Sequence, residues 1–210
     1  MTRVKICGIT NREDGEWAAR CGADAVGFNF ADSPRHIEPE CARHILADLE
    51  PLVTGVGVFV NRPVEEVKRI LDLTGCRVAQ LHGDEPPEHI AGLAPCAVVK
   101  VIHVGVPLDE SQLARYKEAR AILLDTCVEG RSGGTGQRFD PGVAARLVQE
   151  GWRVIMAGGL TPDNVREAVS FVRPYGVDVS SGVESAPGRK DPDKVARFIA
   201  AVRAADRDLG

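Results

Sequence analysis

Cys7 and Asp125 each close a short apolar run, Arg3-Val4-Lys5-Ile6-Cys7 and Ala121-Ile122-Leu123-Leu124-Asp125, and they are the two groups in this chain best suited to exchanging protons. A thiol with a reference pKa of about 8.5 is only a few per cent ionised at neutral pH, so a base role needs a cation or helix dipole that favours thiolate. Asp125 follows three apolar residues, and desolvation there is expected to raise its carboxyl above about 3.9 and let it donate. The plainer readings are a small buried thiol and a strand-end aspartate that caps a loop. Arg35, in Ser33-Pro34-Arg35-His36, is the candidate anchor: a guanidinium in a Pro-stiffened loop can grip a carboxylate with two parallel hydrogen bonds, although an exposed loop Arg is usually just solvated. Gln80, His82 and Asp178 are candidates for further substrate contacts, ranked below these three groups, with a packed, hydrogen-bonded histidine as the commoner outcome.

Two glycine-bearing stretches suggest an anion site. Gly158-Gly159 follows one apolar run and Ser180-Ser181-Gly182 the next. Glycine lets backbone N–H groups approach an anion closely, although one Gly-Gly pair by itself fits a tight turn equally well. Between Asp125 and Pro141 lies a long loop with Gly133, Gly134 and Gly136, read as a lid over the substrate, with plain flexibility as the alternative.

The elements that must position these groups alternate from end to end. Strands are expected near 3–7, 25–30, 53–60, 77–82, 97–102, 121–126, 153–157 and 176–180. Helices are expected near 12–22, 39–49, 63–74, 87–94, 109–119, 141–150, 162–172 and 191–206. Pro39, Pro63, Pro141, Pro162 and Pro192 mark five helix starts, and Thr10 with Glu13 reads as a capping box. Eight such units in 210 residues describe an α/β fold, a single-domain (β/α)8 TIM barrel over residues 1–210. An open doubly wound sheet is the rival, but it would usually carry its Gly-rich fingerprint after the first strand. Alternation along a strand puts Lys5 and Cys7 on one face, and Asn29, Gln80, His82, Lys100, Asp125, Asp178 and Ser180 are read as sharing that inward parity. A closed barrel also brings its eighth strand beside its first, so Lys5 is expected to neutralise Asp178.

Composition narrows the function. The chain is 44% hydrophobic and 27% charged with net charge −4, which gives no electrostatic footprint for nucleic acid. Its basic residues are scattered, and 20 of the 26 are Arg. No apolar run approaches a membrane span of about 18 residues, and no charged leader precedes an apolar stretch, so a cytoplasmic location is expected. The six cysteines lie far apart with no Cys-x-x-Cys pair, arguing for free thiols over a disulfide framework or zinc site. Cys and His do not cluster at metal-ligand spacing, and no nucleotide motif appears, so no metal and no cofactor is expected.

Nine ordered segments give a more specific reading. They are Lys5-Ile6-Cys7-Gly8-Ile9-Thr10, Ala23-Asp24-Ala25-Val26-Gly27-Phe28, Ser33-Pro34-Arg35, Gly57-Val58-Phe59-Val60-Asn61, Gln80-Leu81-His82-Gly83, Leu123-Leu124-Asp125-Thr126, Gly133-Gly134-Thr135-Gly136, Ala157-Gly158-Gly159-Leu160 and Asp178-Val179-Ser180-Ser181-Gly182-Val183-Glu184. Together they resemble the phosphoribosylanthranilate isomerase family of tryptophan biosynthesis over the whole chain. The resemblance implies a (β/α)8 barrel that performs an Amadori rearrangement of an aminoaldose, without metal or organic cofactor, on a small-molecule substrate, as a monomer or homodimer. It implies Asp125 as general acid at the furanose ring oxygen and Cys7 as the base that removes the C2′ proton. Arg35 would hold the anthranilate carboxylate, and Gly158, Gly159, Ser180, Ser181 and Gly182 the 5′-phosphate. The chain departs from the family pattern at Gln137, where relatives often have Lys, and at Pro141, where Trp is common; both bear on the lid and its closure. The histidine-pathway aminoaldose isomerase, with its pair of aspartates, and a non-enzymatic barrel that binds a phosphometabolite are the competing functions. Cys7 at the first strand separates this chain from the former.

Overall fold

The computed structural model describes residues 1–104, 113–125 and 141–210. Eight parallel strands close a barrel in chain order: β1 (Arg3–Cys7), β2 (Ala25–Asn29), β3 (Thr54–Phe59), β4 (Val78–Leu81), β5 (Ala97–His103), β6 (Ala121–Asp125), β7 (Val154–Ala157) and β8 (Gly176–Val179). Seven helices are seen among the described residues: α1 (Arg12–Arg20), α2 (Pro39–Asp48), α3 (Val64–Thr74), α4 (Pro87–Gly92), α5 (Pro141–Gln149), α6 (Val165–Val172) and α7 (Pro192–Asp208). The expected helix over 109–119 falls partly outside the described residues, and only 113–114 are helical in the described part. The lid glycines Gly133, Gly134 and Gly136 and the departure at Gln137 lie outside them as well.

Burial on both faces explains the composition of the strands. Val99, Val101, Ala121, Leu123 and Ala157 fill the barrel, whereas Val4, Ile6, Val26, Phe28, Ile122, Leu124 and Val177 face the helix layer. That division corrects the parity of Lys100. Lys100 pairs in register with Ile122 and so faces outward, where its ammonium donates to the Glu85 carboxylate at 2.9 Å and to the Gly83 carbonyl. In Val98-Val99-Lys100-Val101-Ile102 both faces are apolar, so the run carries no alternation from which parity could be read.

Several helix starts also differ. Asn11, not Thr10, caps α1 by accepting the Asp14 N–H at 2.9 Å, and Thr10 instead donates to the Gly188 carbonyl at 2.6 Å. Pro63 precedes α3 as its cap residue. Pro162 opens a turn: Asn164 accepts the Thr161 N–H at 2.8 Å and donates to the Gly159 carbonyl at 2.9 Å, so α6 begins only at Val165. Pro39 and Pro192 open helices as expected, the latter under an Asp191 side-chain cap.

Both ends of the described chain tie the barrel shut. The Thr2 N–H donates to Asp206 on α7, and Arg203 of the same helix reaches the Thr2 carbonyl and Asp24 beside β2. After β8 the chain makes a 3₁₀ turn, Ser181–Val183, and a small hairpin, β9 (Glu184–Ala186) with β10 (Arg189–Lys190), before α7. The hairpin has no counterpart in the sequence reading.

Candidate active site

One cavity of about 230 Å³ opens at the C-terminal end of the barrel. It gathers every described residue expected there: Cys7, Arg35, Gln80, His82, Asp125, Gly158, Gly159, Asp178, Ser180, Ser181 and Gly182. Cys7 ends β1 and Asp125 ends β6, so the thiol and the carboxyl face one space from separate parts of the barrel wall.

Beneath Cys7 lies the expected ion pair. Lys5 and Asp178 are in register across β1 and β8, and the ammonium donates to both carboxylate oxygens at 3.0 and 2.9 Å. Burial works against the Lys5 charge, but Asp178 and the Cys7 thiol outweigh it, and the ammonium ends above its ordinary value. For Cys7 the balance runs the other way: burial, reinforced by Asp178, pushes the thiol up, and Lys5 and Lys190 offset this only in part. The cations that a thiolate needs are therefore present, yet the thiol in the free protein stays protonated at neutral pH. Gly27 on β2 makes the cluster possible, since a Cβ there would stand 2.8 Å from the Cys7 sulfur and 2.9 Å from the Lys5 side chain.

Arg35 lies over Gly8, whose φ of 76° and missing Cβ admit the arginine side chain. The carboxylate that its guanidinium grips belongs to the protein itself: Nε and Nη2 donate to the two oxygens of Glu184 at 2.8 and 2.7 Å. Two of the five guanidinium N–H groups are thereby used, leaving three for another acceptor. Glu184 also accepts from the almost fully buried Lys190 ammonium at 2.8 Å. Burial would raise the Glu184 carboxyl, but Arg35 and Lys190 hold it below the ordinary range. Burial in turn lowers Lys190, with Glu184 only partly restoring it. Neither Glu184 nor Lys190 was singled out from the sequence; the signal available was an acidic residue closing the Ser180-Ser181-Gly182-Val183 run.

The two glycine-bearing loops meet backbone to backbone. Gly158 and Gly159 have φ of 80° and 65°, a conformation that favours glycine. A Cβ on Gly182 would collide with the Leu160 carbonyl, so only glycine lets the loop after β8 pack on the loop after β7. The Ser180 hydroxyl is the one buried side-chain oxygen or nitrogen without a hydrogen-bond partner among the described residues, and it belongs to this cavity. A buried hydroxyl without a partner is costly, which a bound acceptor would relieve.

On the opposite wall His82 Nε2 stands 3.5 Å from an Asp125 oxygen, and the Gln80 amide is 3.3 Å from His82 Nδ1. His103, at the end of β5, bonds through Nε2 to the His82 carbonyl at 3.1 Å. Sequence spacing concealed this grouping, because residues 82, 103 and 125 lie at or just past the ends of three different strands. The barrel register makes them neighbours, with His103 directly opposite Asp125.

Comparison with known proteins follows the same lines. A family model described as N-(5′-phosphoribosyl)anthranilate (PRA) isomerase matches residues 4–201. The N-(5′-phosphoribosyl)anthranilate isomerase of Moorella thermoacetica is 47% identical over 206 residues, covering 98% of this chain and 92% of its own. The crystal structure of phosphoribosyl anthranilate isomerase from Thermotoga maritima superposes with a TM-score of 0.90 at 43% identity, over 97% of this chain and 100% of the other. A further crystal structure of such an isomerase, in complex with reduced 1-(o-carboxyphenylamino)-1-deoxyribulose 5-phosphate, gives 0.87 at 41% identity, with the same coverage of each chain. A matching family model over nearly the full barrel, together with relatives of this identity, leaves one conclusion: the chain belongs to the N-(5′-phosphoribosyl)anthranilate isomerase family.

Proposed function

We propose that the chain converts N-(5′-phosphoribosyl)anthranilate to 1-(2-carboxyphenylamino)-1-deoxyribulose 5-phosphate in tryptophan biosynthesis, as an aldose–ketose isomerase working by general acid–base catalysis. The observation that carries the reading is the shared cavity of Cys7, Asp125, Arg35 and the two glycine loops, in a member of this family.

Asp125 donates its proton to the furanose ring oxygen as the C1′–O bond breaks, leaving a protonated imine between C1′ and the anthranilate nitrogen. The Cys7 thiolate then takes the C2′ proton, and the electron pair of that C–H bond moves into the C1′–C2′ bond while the imine nitrogen is neutralised. The enolamine tautomerises to the ketose. Each step is a proton transfer, so the residues supply the whole chemistry without a metal or organic cofactor. The positive imine is what the raised thiol needs: placed near Cys7, it adds to Lys5 and Lys190 in favouring thiolate once the ring has opened, the thiol proton passing to solvent. Arg35, oriented by Glu184, offers its remaining N–H groups to the anthranilate carboxylate. Gly158, Gly159, Ser180, Ser181 and Gly182 receive the 5′-phosphate, with the Ser180 hydroxyl gaining the acceptor it otherwise lacks. Gln80, His82 and Asp178 complete the lining.

The chain acts as one barrel domain over residues 1–210, on a small molecule and not on nucleic acid, in the cytoplasm, as a monomer or homodimer. Closure of β1 on β8 supports the single domain, and no helix among the described residues is long and apolar enough to cross a membrane. The test is to add purified protein to freshly made phosphoribosylanthranilate and follow loss of its fluorescence. Loss no faster than spontaneous breakdown refutes the assignment.

A further inference from the structure

His82, His103 and Asp125 stand at the mouth of the barrel on three consecutive strand ends, and each can present one donor atom such that all three atoms lie within 4.8 Å of one another. One pair, His82 Nε2 and Asp125 Oδ2, is already 3.5 Å apart. Zinc bonds to nitrogen and oxygen are about 2.0–2.2 Å long, so two ligands of a tetrahedral ion are separated by about 3.3–3.5 Å. That pair therefore matches the spacing without movement. His103 is exposed and can close the remaining distance by a change of rotamer, which exchanges its Nε2 bond to the His82 carbonyl for the ion. Its backbone is fixed by strand pairing to Asp125.

We propose that His82, His103 and Asp125 form a site for a borderline divalent transition ion, zinc or copper(II) in kind, whose binding reversibly blocks the isomerase. Two imidazoles and one carboxylate suit such ions, whereas magnesium and calcium take oxygen ligands. Three protein ligands leave at least one position for water, the arrangement of an open site. The Gln80 amide fits the same picture. It is buried 3.3 Å from His82 Nδ1, and with an ion on Nε2 the proton must sit on Nδ1, where Gln80 can accept it once its amide is turned. An ion on Asp125 occupies the carboxylate needed at the furanose oxygen, so ion binding and turnover exclude one another. The block on turnover rests on the proton-donor role given to Asp125; ion binding itself does not.

The experiment is a calorimetric titration of the intact protein with Zn²⁺, a Co²⁺ titration followed by visible absorption, and isomerase assays over the same Zn²⁺ range with and without EDTA. One Zn²⁺ per chain is expected, with loss of activity at the same midpoint and recovery on chelation. His103→Ala and His103→Gln should each weaken Zn²⁺ binding by at least about tenfold and shift the inhibition midpoint by the same factor. Cys7→Ser should still bind Zn²⁺ like the parent. Equal Zn²⁺ affinity in the His103 variants overturns the site, as does a Co²⁺ spectrum dominated by an intense thiolate charge-transfer band. Zn²⁺ binding that is intact but without effect on turnover overturns the inhibition and leaves the ion site standing. Failure of the isomerase assignment would show separately, as absent turnover with unaltered His103-dependent calorimetry.

Discussion

Replacing Lys5 with Met separates two effects that meet at Cys7. Lys5 Nζ and the Asp178 carboxylate are 2.9 Å apart, with side chains 9% and 8% exposed. At an effective dielectric of about 20 their attraction is on the order of 6 kcal/mol, but desolvating two ions consumes several kcal/mol each, so the pair is near neutral against an apolar substitute. Removing the cation alone is different, because it strands a buried carboxylate, and a loss of about 3–5 kcal/mol is expected for Lys5→Met. Lys5→Met with Asp178→Asn should recover much of it. The thiol responds in a predictable sense: burial and Asp178 push Cys7 up and Lys5 pulls it down, so Lys5→Met must raise it further. Urea unfolding gives the stabilities, and the pH dependence of Cys7 alkylation, read peptide by peptide by mass spectrometry, gives the thiol. An alkylation midpoint that stays put or falls in a folded Lys5→Met protein would refute the electrostatic account. A double variant no more stable than Lys5→Met would refute the stranded-carboxylate account.

Cys7→Ser and Asp125→Asn should each lower kcat by at least about a hundredfold, the lower range for a positioned base or acid, and retained turnover in either removes that role. Ser180→Ala should raise KM for the phosphorylated substrate more than it lowers kcat, and should leave stability unchanged or improved, since the hydroxyl is buried without a partner. Glu85 and Glu184 are both held below the usual carboxylate value of 4.5, burial opposing and Lys100, Arg35 and Lys190 prevailing. Their contribution to stability is thus present above about pH 4.3 and is lost as pH falls through the depressed folded values. Unfolding free energy measured between pH 6 and pH 3 should drop less steeply in Glu85→Gln than in the parent, and an unchanged slope would contradict the assignment. Gly27→Ala should disrupt the Lys5–Cys7 cluster, visible as lost activity together with a lower melting temperature.

The barrel was legible because each of its eight units repeats one pattern of apolar run, turn residue and amphipathic segment, so that errors at single boundaries do not accumulate. The cavity lining was legible wherever a candidate residue closes a strand, as Cys7 and Asp125 do, because strand order in a closed barrel fixes which ends converge. What escaped the sequence is instructive. Lys100 was misread because a strand buried on both faces has no polarity to mark its sides. Glu184 and Lys190 drew no role from the sequence because they lie on a hairpin with no periodicity of its own, and Arg35, which Glu184 grips, is 149 residues away from it. His103 was missed because it enters the site only through its register with Asp125. Local pattern names the elements; only closure reveals which of their side chains become neighbours.

Closure also has a temporal side. Lys5 finds its counter-ion 173 residues later, and Thr2 is held by Asp206. A chain still being synthesised holds Lys5 and Cys7 two positions apart long before Asp178 is made. In that interval the two influences that raise the thiol in the barrel, enclosure and Asp178, are both missing. The thiol is therefore more reactive during synthesis than in the finished barrel, and completing the last strand passivates it until substrate arrives.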